Sequence, residues 1–336
     1  MTKTDLKVED SSQCNQPNSY GVYGVSVASN FNFSTYLYQI NQPASLQVEL
    51  FDHPPQEADH DFGDIVYQSP SLLENGKSAF CIYKNDSHYC LRLTNIFDFY
   101  VSKNSIRGYL LDSDYISGME VWLLGMVFSF WLEQQGLLAL HASSVVIEDS
   151  AVAFLASNKG GKTSLATSFL QDGYALLTDD ILPVSLSKSV IYGYPGYPQI
   201  RLWPEQAKLF GFDPASLPLV HPAFSKRRVQ VGENGIGHFH QEKTPLKCFY
   251  LPERRDNNDC DQSISIQTIS PQFSIIEIIR NSFIPEVVEG IGLQSSRLSK
   301  IAAILQKIPV KRIVYPNGMQ YLTQVKRAIL EDLSSF

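Results

Sequence analysis

A lysine and a hydroxyl residue follow two glycines in the stretch FLASNKGGKTSLA, residues 154–166. The general phosphate-loop pattern requires a small residue, four free positions, then Gly, Lys and Ser or Thr. Ala156, Gly161, Lys162 and Thr163 occupy those positions, with alanine in place of the first glycine of the strict form. The N–H groups of such a loop can cradle an anion, while the lysine supplies positive charge and the hydroxyl can bind magnesium. The spacing therefore predicts a phosphate-binding loop.

A strand and a helix must hold this loop in place. AVAFLA (151–156) is a short run of apolar residues, which suits a buried strand, and KTSLATSFLQ (162–171) has apolar residues at helical spacing. Gly173 is a helix-stop signal. The order of strand, glycine turn and helix is the context that the motif requires, whereas an ordinary strand-to-helix turn is the alternative without function.

A histidine is expected at the mouth of the loop. ASSVVI (142–147), a short turn and AVAFLA read as a hairpin. Pairing residue 147 with residue 151 puts His141 opposite Ser157. A slip in register would turn the histidine away from the loop and leave it as a solvated strand end.

Two acids end the next apolar segment, YALLTDD (174–180). The strand–helix–strand order makes this segment parallel to AVAFLA, so Asp179 and Asp180 should leave the sheet at the same edge as the loop. One carboxylate could hold a metal while the other accepts a proton from an attacking hydroxyl, and the pattern leaves open which does which. A surface turn is the alternative for such a pair.

Three motifs, LHASSVVI, AxxxxGKTS and TDD, together resemble the catalytic domain of bacterial HPr kinase/phosphorylase and related serine kinases, among them tailoring kinases of lasso-peptide gene clusters. The mix of motifs is also similar to the more distant phosphoenolpyruvate carboxykinases. The resemblance covers residues 140–205, and residues 120–330 in outline. It implies an α/β fold, with a P-loop-containing catalytic domain of the HPr kinase C-terminal and phosphoenolpyruvate-carboxykinase type, and it implies ATP and Mg²⁺ as cofactors.

The resemblance also assigns residues. Asp179, His141 and Lys162 would be catalytic, and Thr163 would bind the metal. With Asp179 as the proton acceptor, Asp180 is the acid of the pair that could hold the metal. ATP would be bound by the loop residues Ala156, Ser157, Asn158, Lys159, Gly160, Gly161, Lys162, Thr163 and Ser164. Gln199 stands where the family has an acid that helps to hold a second metal, so the sequence leaves open whether a phosphorylase activity exists.

Three further clusters could carry chemistry. Lys226, Arg227 and Arg228 in SKRRV, together with Arg201, could clamp a phosphate or could be a solvated run. The segment 221–245 around them looks like a mobile loop. The segment 52–64 holds histidines and acids that could ligate a metal, but its irregular spacing and prolines favour an acidic surface loop. A turn at Asn85–Asp86 would place Cys81 opposite Cys90 in a hairpin, as two packed thiols or, less readily in a reducing compartment, as a disulfide.

Length and composition indicate a folded protein with two domains or one large one. The chain has 336 residues, is 44% hydrophobic and has a net charge of −7, so it can bury a sizeable core but offers no broad basic surface for nucleic acid. We expect a disordered tail (1–19), a β-rich N-terminal domain (20–114) and the catalytic domain (115–336). The predicted N-terminal strands are SLQVELF (45–51), FDFYVS (97–102), IRGYLLD (106–112) and the hairpin in 80–93. Predicted later elements are helices at 117–135, 294–307 and 320–333 and a strand at 311–315.

Location and partners follow from the same features. The first twenty residues are polar, without the apolar core of a secretory signal, and five scattered cysteines suit a reducing cytoplasm. The longest apolar run, VWLLGMVFSFWL (121–132), is too short to span a membrane and predicts a buried helix. The oligomeric state cannot be read from the sequence, and a homo-oligomer is compatible with it.

The sequence as a whole predicts an ATP-dependent serine kinase. It would transfer the γ-phosphoryl group of ATP to a serine hydroxyl of a peptide or small protein. A kinase of a small-molecule hydroxyl is the nearest alternative. A regulatory module that binds ATP but transfers nothing is the alternative from a different class.

Overall fold

The computed structural model describes residues 18–56, 62–255 and 261–335. The chain divides into two compact units, Met1–Val127 and Phe128–Phe336. The division lies between residues 127 and 128, inside a helical segment, whereas the sequence analysis places the boundary between residues 114 and 115, near the start of that segment. Of the predicted tail 1–19, residues 1–17 lie outside the described residues, and Asn18 opens the first strand. Part of the acidic segment 52–64, residues 57–61, also lies outside them.

The N-terminal unit is built on one sheet. Its described strands are β1 (Asn18–Val22), β2 (Val25–Ser29), β3 (Tyr38–Gln39), β4 (Leu46–Phe51), β5 (Asp64–Gln68), β6 (Phe80–Lys84), β7 (Tyr89–Leu93), β8 (Phe97–Val101) and β9 (Ser105–Leu110). They lie in the order β3-β1-β2-β4-β9-β8-β7-β6-β5. Buried and half-buried residues alternate along β4, as expected for a strand with one covered face.

The hairpin of β6 and β7 forms as predicted, but its register differs. Cys81 lies opposite Arg92, and Cys90 lies opposite Tyr83. The predicted pairing of Cys81 with Cys90 is therefore wrong, and both thiols are free. The cause is a longer turn, because the Asn85 side chain accepts hydrogen bonds from the backbone N–H groups of the next residues, Ser87 (2.9 Å) and His88 (2.9 Å).

A helical segment joins the two units along the chain. It consists of a 3₁₀ turn (Ser113–Tyr115), α1 (Ile116–Trp122), a π turn (Leu123–Val127) and α2 (Phe128–Gln134). By length and composition alone, Ser113–Gln134 could cross a membrane, with 22 residues and a mean hydropathy of 1.4 in its most apolar window. That window is 67% buried in the folded protein, which is how the core helix of a globular domain behaves.

The C-terminal unit mixes strands and helices. Its described strands are β10 (Leu138–Ile147), β11 (Ser150–Leu155), β12 (Ala175–Thr178), β13 (Ile181–Ser187), β14 (Val190–Gly193), β15 (Gln199–Leu202), β16 (Leu219–His221), β17 (Phe224–Gln230), β18 (His238–Phe239), β19 (Thr244–Arg254), β20 (Ser265–Thr268) and β21 (Val310–Tyr315). Its further helices are α3 (Lys162–Gln171), α4 (Pro204–Leu209), α5 (Pro271–Arg280), α6 (Pro285–Gly290), α7 (Gln294–Leu305) and α8 (Leu322–Leu333), the last preceded by a 3₁₀ turn (Met319–Tyr321).

The large sheet of this unit is organised around β10 and β11. β10 pairs antiparallel with β11 on one side and with both β13 and β12 on the other. Since β11 and β12 are both antiparallel to β10, they run in the same direction, as the strand–helix–strand order predicts, but β10 lies between them. The β10–β11 hairpin pairs Ile147 with Ser150. The predicted register is thus one residue off, because a tight turn with Glu148 at φ +54° replaces the longer one.

Helix α3 begins and ends where the sequence predicts. Leu165, Phe169 and Leu170 are buried against Phe154 of β11 in one apolar cluster. Gly173 follows the helix with φ +89°, a left-handed conformation that glycine adopts without strain. The apolar periodicity therefore locates both the helix and the face that holds it on the sheet.

Segment 221–245 is not the loop that the sequence analysis expected. SKRRV lies in β17, which pairs antiparallel with β15 and β16 in a separate three-stranded sheet. The prediction failed because the strand is stabilised by distant partners: Arg201 of β15 lies opposite Arg228. Pairing between segments so far apart in the sequence gives the basic run SKRRV no local pattern that predicts a strand.

A buried ion pair ties α2 to α7. Arg297 Nε lies 3.1 Å from Glu133 Oε1, and both side chains are at most 6% exposed. Arg297 Nη2 also donates to Ser282 Oγ (2.7 Å), and Glu133 Oε1 accepts from Ala139 N (2.9 Å). Ala139 belongs to β10, so this network fixes the start of the strand that carries His141.

We predict that Arg297→Met destabilises the protein by about 3 kcal/mol, because it leaves the Glu133 carboxylate buried without its partner. The matched control is Arg327→Met, which breaks the exposed Arg327–Glu331 pair and should cost less than about 1 kcal/mol. Denaturant-induced unfolding measures both. Equal losses in the two variants would show that the buried network does not stabilise this unit.

Candidate active site

The predicted phosphate loop lies between β11 and α3. Gly161 precedes α3 with φ +93°, and the first hydrogen bond of the helix runs from Leu165 N to Gly161 O (2.9 Å). The N–H groups of residues 162–164 therefore have no acceptor within the helix. They sit at the helix N-terminus, where the helix dipole favours an anion.

Lys162 is folded back onto its own loop. Its Nζ donates to Ala156 O (2.5 Å) and Ser157 O (3.3 Å), and the residue is only 6% exposed. Burial lowers the pKa of Lys162 to about 8, although the charges of Asp179 and Asp180 raise it. Two carbonyls of its own loop thus hold the ammonium that the motif predicts to contact phosphate.

Asp179 joins three chain segments. Its Oδ1 accepts from Ser143 Oγ of β10 (2.5 Å) and from Thr163 Oγ1 of α3 (2.9 Å). Its Oδ2 accepts from Arg201 N of β15 (3.1 Å). The carboxylate is 5% exposed and is satisfied by these donors, as a buried charge requires.

Asp180 is held by charged partners instead. Arg201 Nη1 donates to Asp180 Oδ2 (2.7 Å), and His141 Nδ1 lies 3.3 Å from Oδ1. Burial raises the pKa of Asp180, but the charges of Arg201, His141 and Lys226 outweigh it and hold the pKa well below its ordinary value. Asp180 also has φ +85°, a strained conformation of the kind that concentrates at functional sites.

His141 bridges the acids and the loop. Its Nδ1 lies 3.0 Å from the backbone oxygen of Asp180, and a carbonyl can only accept, so Nδ1 carries a proton. Its Nε2 lies 3.2 Å from Asn158 Oδ1. The ring is therefore oriented by Asp180, with Nε2 toward the loop.

Most of the predicted site residues meet in one pocket of about 50 Å³. The predicted residues that line it are His141, Asn158, Lys159, Gly160, Gly161, Lys162, Thr163, Ser164, Asp179, Asp180, Arg201 and Lys226. Two of the predicted clamp residues do not line it. Arg228 is 6% exposed and donates from Nη2 to Val220 O (2.9 Å), and Arg227, one position earlier, faces the other side of β17. The structure therefore does not bring these two arginines to the pocket.

Three residues near the phosphate loop were missed from sequence. Trp203 and Gln206 line the pocket, and Ser143 contacts Asp179. A signal existed for Ser143, because residues two apart on a strand share a face and Ser143 is two from His141. Trp203 follows QIRL directly, but nothing in the local pattern indicates which way its side chain points.

A second, larger cavity adjoins the same loop. It has a volume of about 330 Å³ and is lined by Ala156 and Ser157, which are the remaining predicted loop residues. Gly160 lines both spaces. The outer wall comes from β19, α5 and β21, including Pro252, Asn281 and Arg312. The loop thus lies between a small pocket with many charged residues and a larger cavity that is lined by both polar and apolar residues.

No protein-family model matches the chain, and no curated protein matches it. Among solved structures, the chain is similar to the Hpr(Ser) kinase/phosphatase from Coxiella burnetii. The identity is 14%, the match covers 59% of this chain and 94% of that one, and the TM-score is 0.27. Similarity at this level does not establish membership of that family.

A divalent cation fits the donor set of the pocket. The described residues contain no cluster of three or more His, Cys, Asp or Glu side chains that could hold a metal. Mg²⁺ does not need one, because it commonly uses one or two carboxylates and completes its shell with water and phosphate oxygens. The Thr163 hydroxyl beside the Asp179 carboxylate would supply the protein ligands of such a site.

Gly160 is required by the alanine at the start of the loop. A Cβ at position 160 would lie 2.5 Å from Ala156 Cβ and 2.9 Å from Ser157 O. We predict that Gly160→Ala destabilises the protein by about 1–3 kcal/mol in denaturant unfolding, because the loop is overpacked. Adding Ala156→Gly removes the nearer contact and should recover at least about 0.5 kcal/mol. Strictly additive effects would show that the two residues do not interact.

Proposed function

We propose that this protein is an ATP-dependent phosphotransferase that phosphorylates a serine hydroxyl of a peptide or small protein. One observation carries the proposal. The lysine and threonine of a phosphate loop share a pocket with two carboxylates that leave the sheet at the same edge. Such a pocket offers cationic groups for phosphates and anionic groups for a metal and for a hydroxyl proton.

The nucleotide would be bound by the loop. Lys162 would release the carbonyls of Ala156 and Ser157, and its ammonium would turn to the β- and γ-phosphates. The N–H groups at the start of α3 would donate to phosphate oxygens. The cavity of about 330 Å³ on the other side of the loop is the larger space adjoining it, and it would take the nucleoside.

A magnesium ion bound to the phosphates would neutralise part of their charge during transfer. Thr163 would hold it, together with Asp180 or with Asp179, which Thr163 already contacts. Arg201 would stay on Asp180 and keep that carboxylate anionic at neutral pH.

The transfer step would use Asp179 as the proton acceptor. The acceptor oxygen bonds to the γ-phosphorus while the bond from phosphorus to the β–γ bridging oxygen breaks and ADP leaves. The hydroxyl proton passes to Asp179. Support comes from Oδ1 of Asp179, which already receives hydrogen bonds from two hydroxyls. Asp180 is the less available base, because Arg201 and His141 already hold its two carboxylate oxygens. His141, oriented by Asp180, would position the loop through Asn158.

A polypeptide acceptor is supported by the N-terminal unit. β5 is an edge strand of its sheet, and Ile65 on that strand is 51% exposed. Such an edge can bind an extended peptide by adding a strand to the sheet. ATP chemistry by itself would not need this surface.

Nucleotide binding should depend on Lys162. We predict that Lys162→Ala weakens Mg·ATP binding at least tenfold, about 1.4 kcal/mol, in titration calorimetry. Because phosphates favour the ammonium form and the pKa of Lys162 is lowered to about 8, binding should take up a proton near pH 8. The affinity of the wild type for Mg·ATP should be constant below pH 8. Above pH 8 it should fall, with a slope that approaches about tenfold for each pH unit.

The control for that experiment is Lys307→Ala, at an exposed position after α7, which should bind like the wild type. In Lys162→Ala the pH dependence should disappear together with the affinity. Unchanged ATP affinity in folded Lys162→Ala would contradict the proposed nucleotide site.

Turnover should depend on Asp179. We predict that Asp179→Asn lowers transfer of labelled γ-phosphoryl to host-lysate protein by about 10²–10⁴-fold while ATP affinity is kept, because the hydroxyl proton loses its acceptor. Asp180→Asn should act mainly by raising the Mg²⁺ concentration that turnover requires. If Asp179→Asn instead raises the Mg²⁺ requirement and leaves the saturated rate unchanged, Asp179 is the metal ligand. Label found only in small metabolites would contradict the polypeptide acceptor.

A further inference from the structure

Two lysines meet on one tryptophan at the rim of the small pocket. Lys159 Nζ lies 5.2 Å from the centroid of the Trp203 ring, and Lys226 Nζ lies 5.4 Å from it. Lys159 belongs to the phosphate loop, Trp203 follows β15, and Lys226 lies on β17. All three line the pocket. Three separate segments thus bring two ammonium groups to one aromatic ring.

Neither ammonium forms a salt bridge with a residue that the structure describes, whereas Arg201 in the same pocket forms one with Asp180. The charge of Lys226 acts on Asp180 from a longer distance. The indole ring attracts both cations through its quadrupole, an interaction that is weak at partly exposed sites. Charge-assisted hydrogen bonds to phosphate oxygens are stronger than this. Phosphate oxygens could therefore replace the indole ring as the partner of both ammonium groups.

The charge of the pocket indicates the kind of ligand. Its lining contains the cations Lys159, Lys162, Lys226 and Arg201, and the carboxylates Asp179 and Asp180. The cations outnumber the carboxylates by two in a chain whose net charge is −7. An excess of positive charge in a small pocket of an acidic protein suits a compact ligand with several negative charges.

We propose that Lys159, Trp203 and Lys226 form a movable clamp for a chain of at least two phosphates. Without ligand, Trp203 holds both ammonium groups at the pocket rim. When the phosphate chain enters, the ammonium groups leave the ring and bind the outer phosphates. This clamp rests on the proposed nucleotide site and defines its ligand class: the site selects nucleoside diphosphates and triphosphates over monophosphates.

The backbones behind the clamp are anchored while the side chains are long and flexible. Arg254 Nη2 donates to Lys159 O, and Trp203 N donates to Gln206 Oε1 (3.4 Å). Lysine is a compact charge on a flexible stem, so each ammonium can move from ring to phosphate without backbone motion. This separation of fixed anchors from mobile charges is what a clamp requires.

The test measures binding of ATP, AMP and inorganic tripolyphosphate to the full chain. The variants are Lys159→Met, Lys226→Met and the double variant, because methionine keeps an unbranched apolar stem on the ring and removes the charge. We expect each single change to weaken ATP and tripolyphosphate binding about five- to tenfold, and AMP binding less than twofold. The matched control is Lys243→Met, whose ammonium lies 5.0 Å from the Tyr192 ring and does not line the pocket; its affinities should equal those of the wild type.

Tryptophan fluorescence provides a second readout. ATP and tripolyphosphate should change the emission of the wild type as the ammonium groups leave the indole, and AMP should not. Trp203→Phe should abolish the change although Trp122 and Trp131 remain. A change that survives in Trp203→Phe would overturn the clamp.

The outcomes separate the clamp from the proposed function. If ATP binds in a Lys162-dependent way but the Lys159 and Lys226 variants bind it as well as the wild type does, the clamp is overturned and the nucleotide site stands. If tripolyphosphate binds through these lysines and ATP does not bind, the clamp is supported and the nucleotide function is overturned. If neither ligand binds the wild type, both are overturned.

Discussion

The buried carboxylate of Asp179 is the point on which the pocket is assembled. A carboxylate that is 5% exposed is costly unless hydrogen bonds replace the water it has lost. The donors come from β10, α3 and β15, through Ser143, Thr163 and the backbone of Arg201. The requirement to satisfy one charge thereby fixes the positions of three segments that lie far apart in the chain. The phosphate loop, directly before α3, takes its position from the same contacts.

Asp180, the neighbouring acid, is held by a different group of the same arginine. Asp180 binds the side chain of Arg201, while Asp179 binds the backbone of that residue. One residue of β15 thus holds both acids, and Asp180 in turn orients His141. The strained backbone of Asp180, with φ +85°, is compatible with this network because Arg201 and His141 hold the side chain. The result is a site whose anionic groups are rigid.

The cationic groups of the same pocket are held more loosely. Lys162 binds loop carbonyls, and Lys159 and Lys226 rest on Trp203. None of these contacts neutralises a charge, so a polyanion can replace each of them without leaving a carboxylate unpaired. Rigid acids beside replaceable lysines would suit the proposed phosphoryl transfer, in which the groups that hold the metal and accept the proton stay fixed while the phosphates enter and leave.

The sequence by itself determined the elements next to the loop. The apolar run before the glycines, the helical spacing of Leu165 and Phe169, and the stop at Gly173 are local signals, and they located β11 and α3 closely. They also predicted that Asp179 and Asp180 meet the loop, since strand direction follows from the order of elements. Only the tertiary structure decided the register of the two hairpins, the strand formed by SKRRV, the burial of Arg228 and the arrival of Trp203 in the pocket. These features depend on pairing between distant segments and on which face of a strand a side chain occupies, and a shift of one residue in either reverses the outcome.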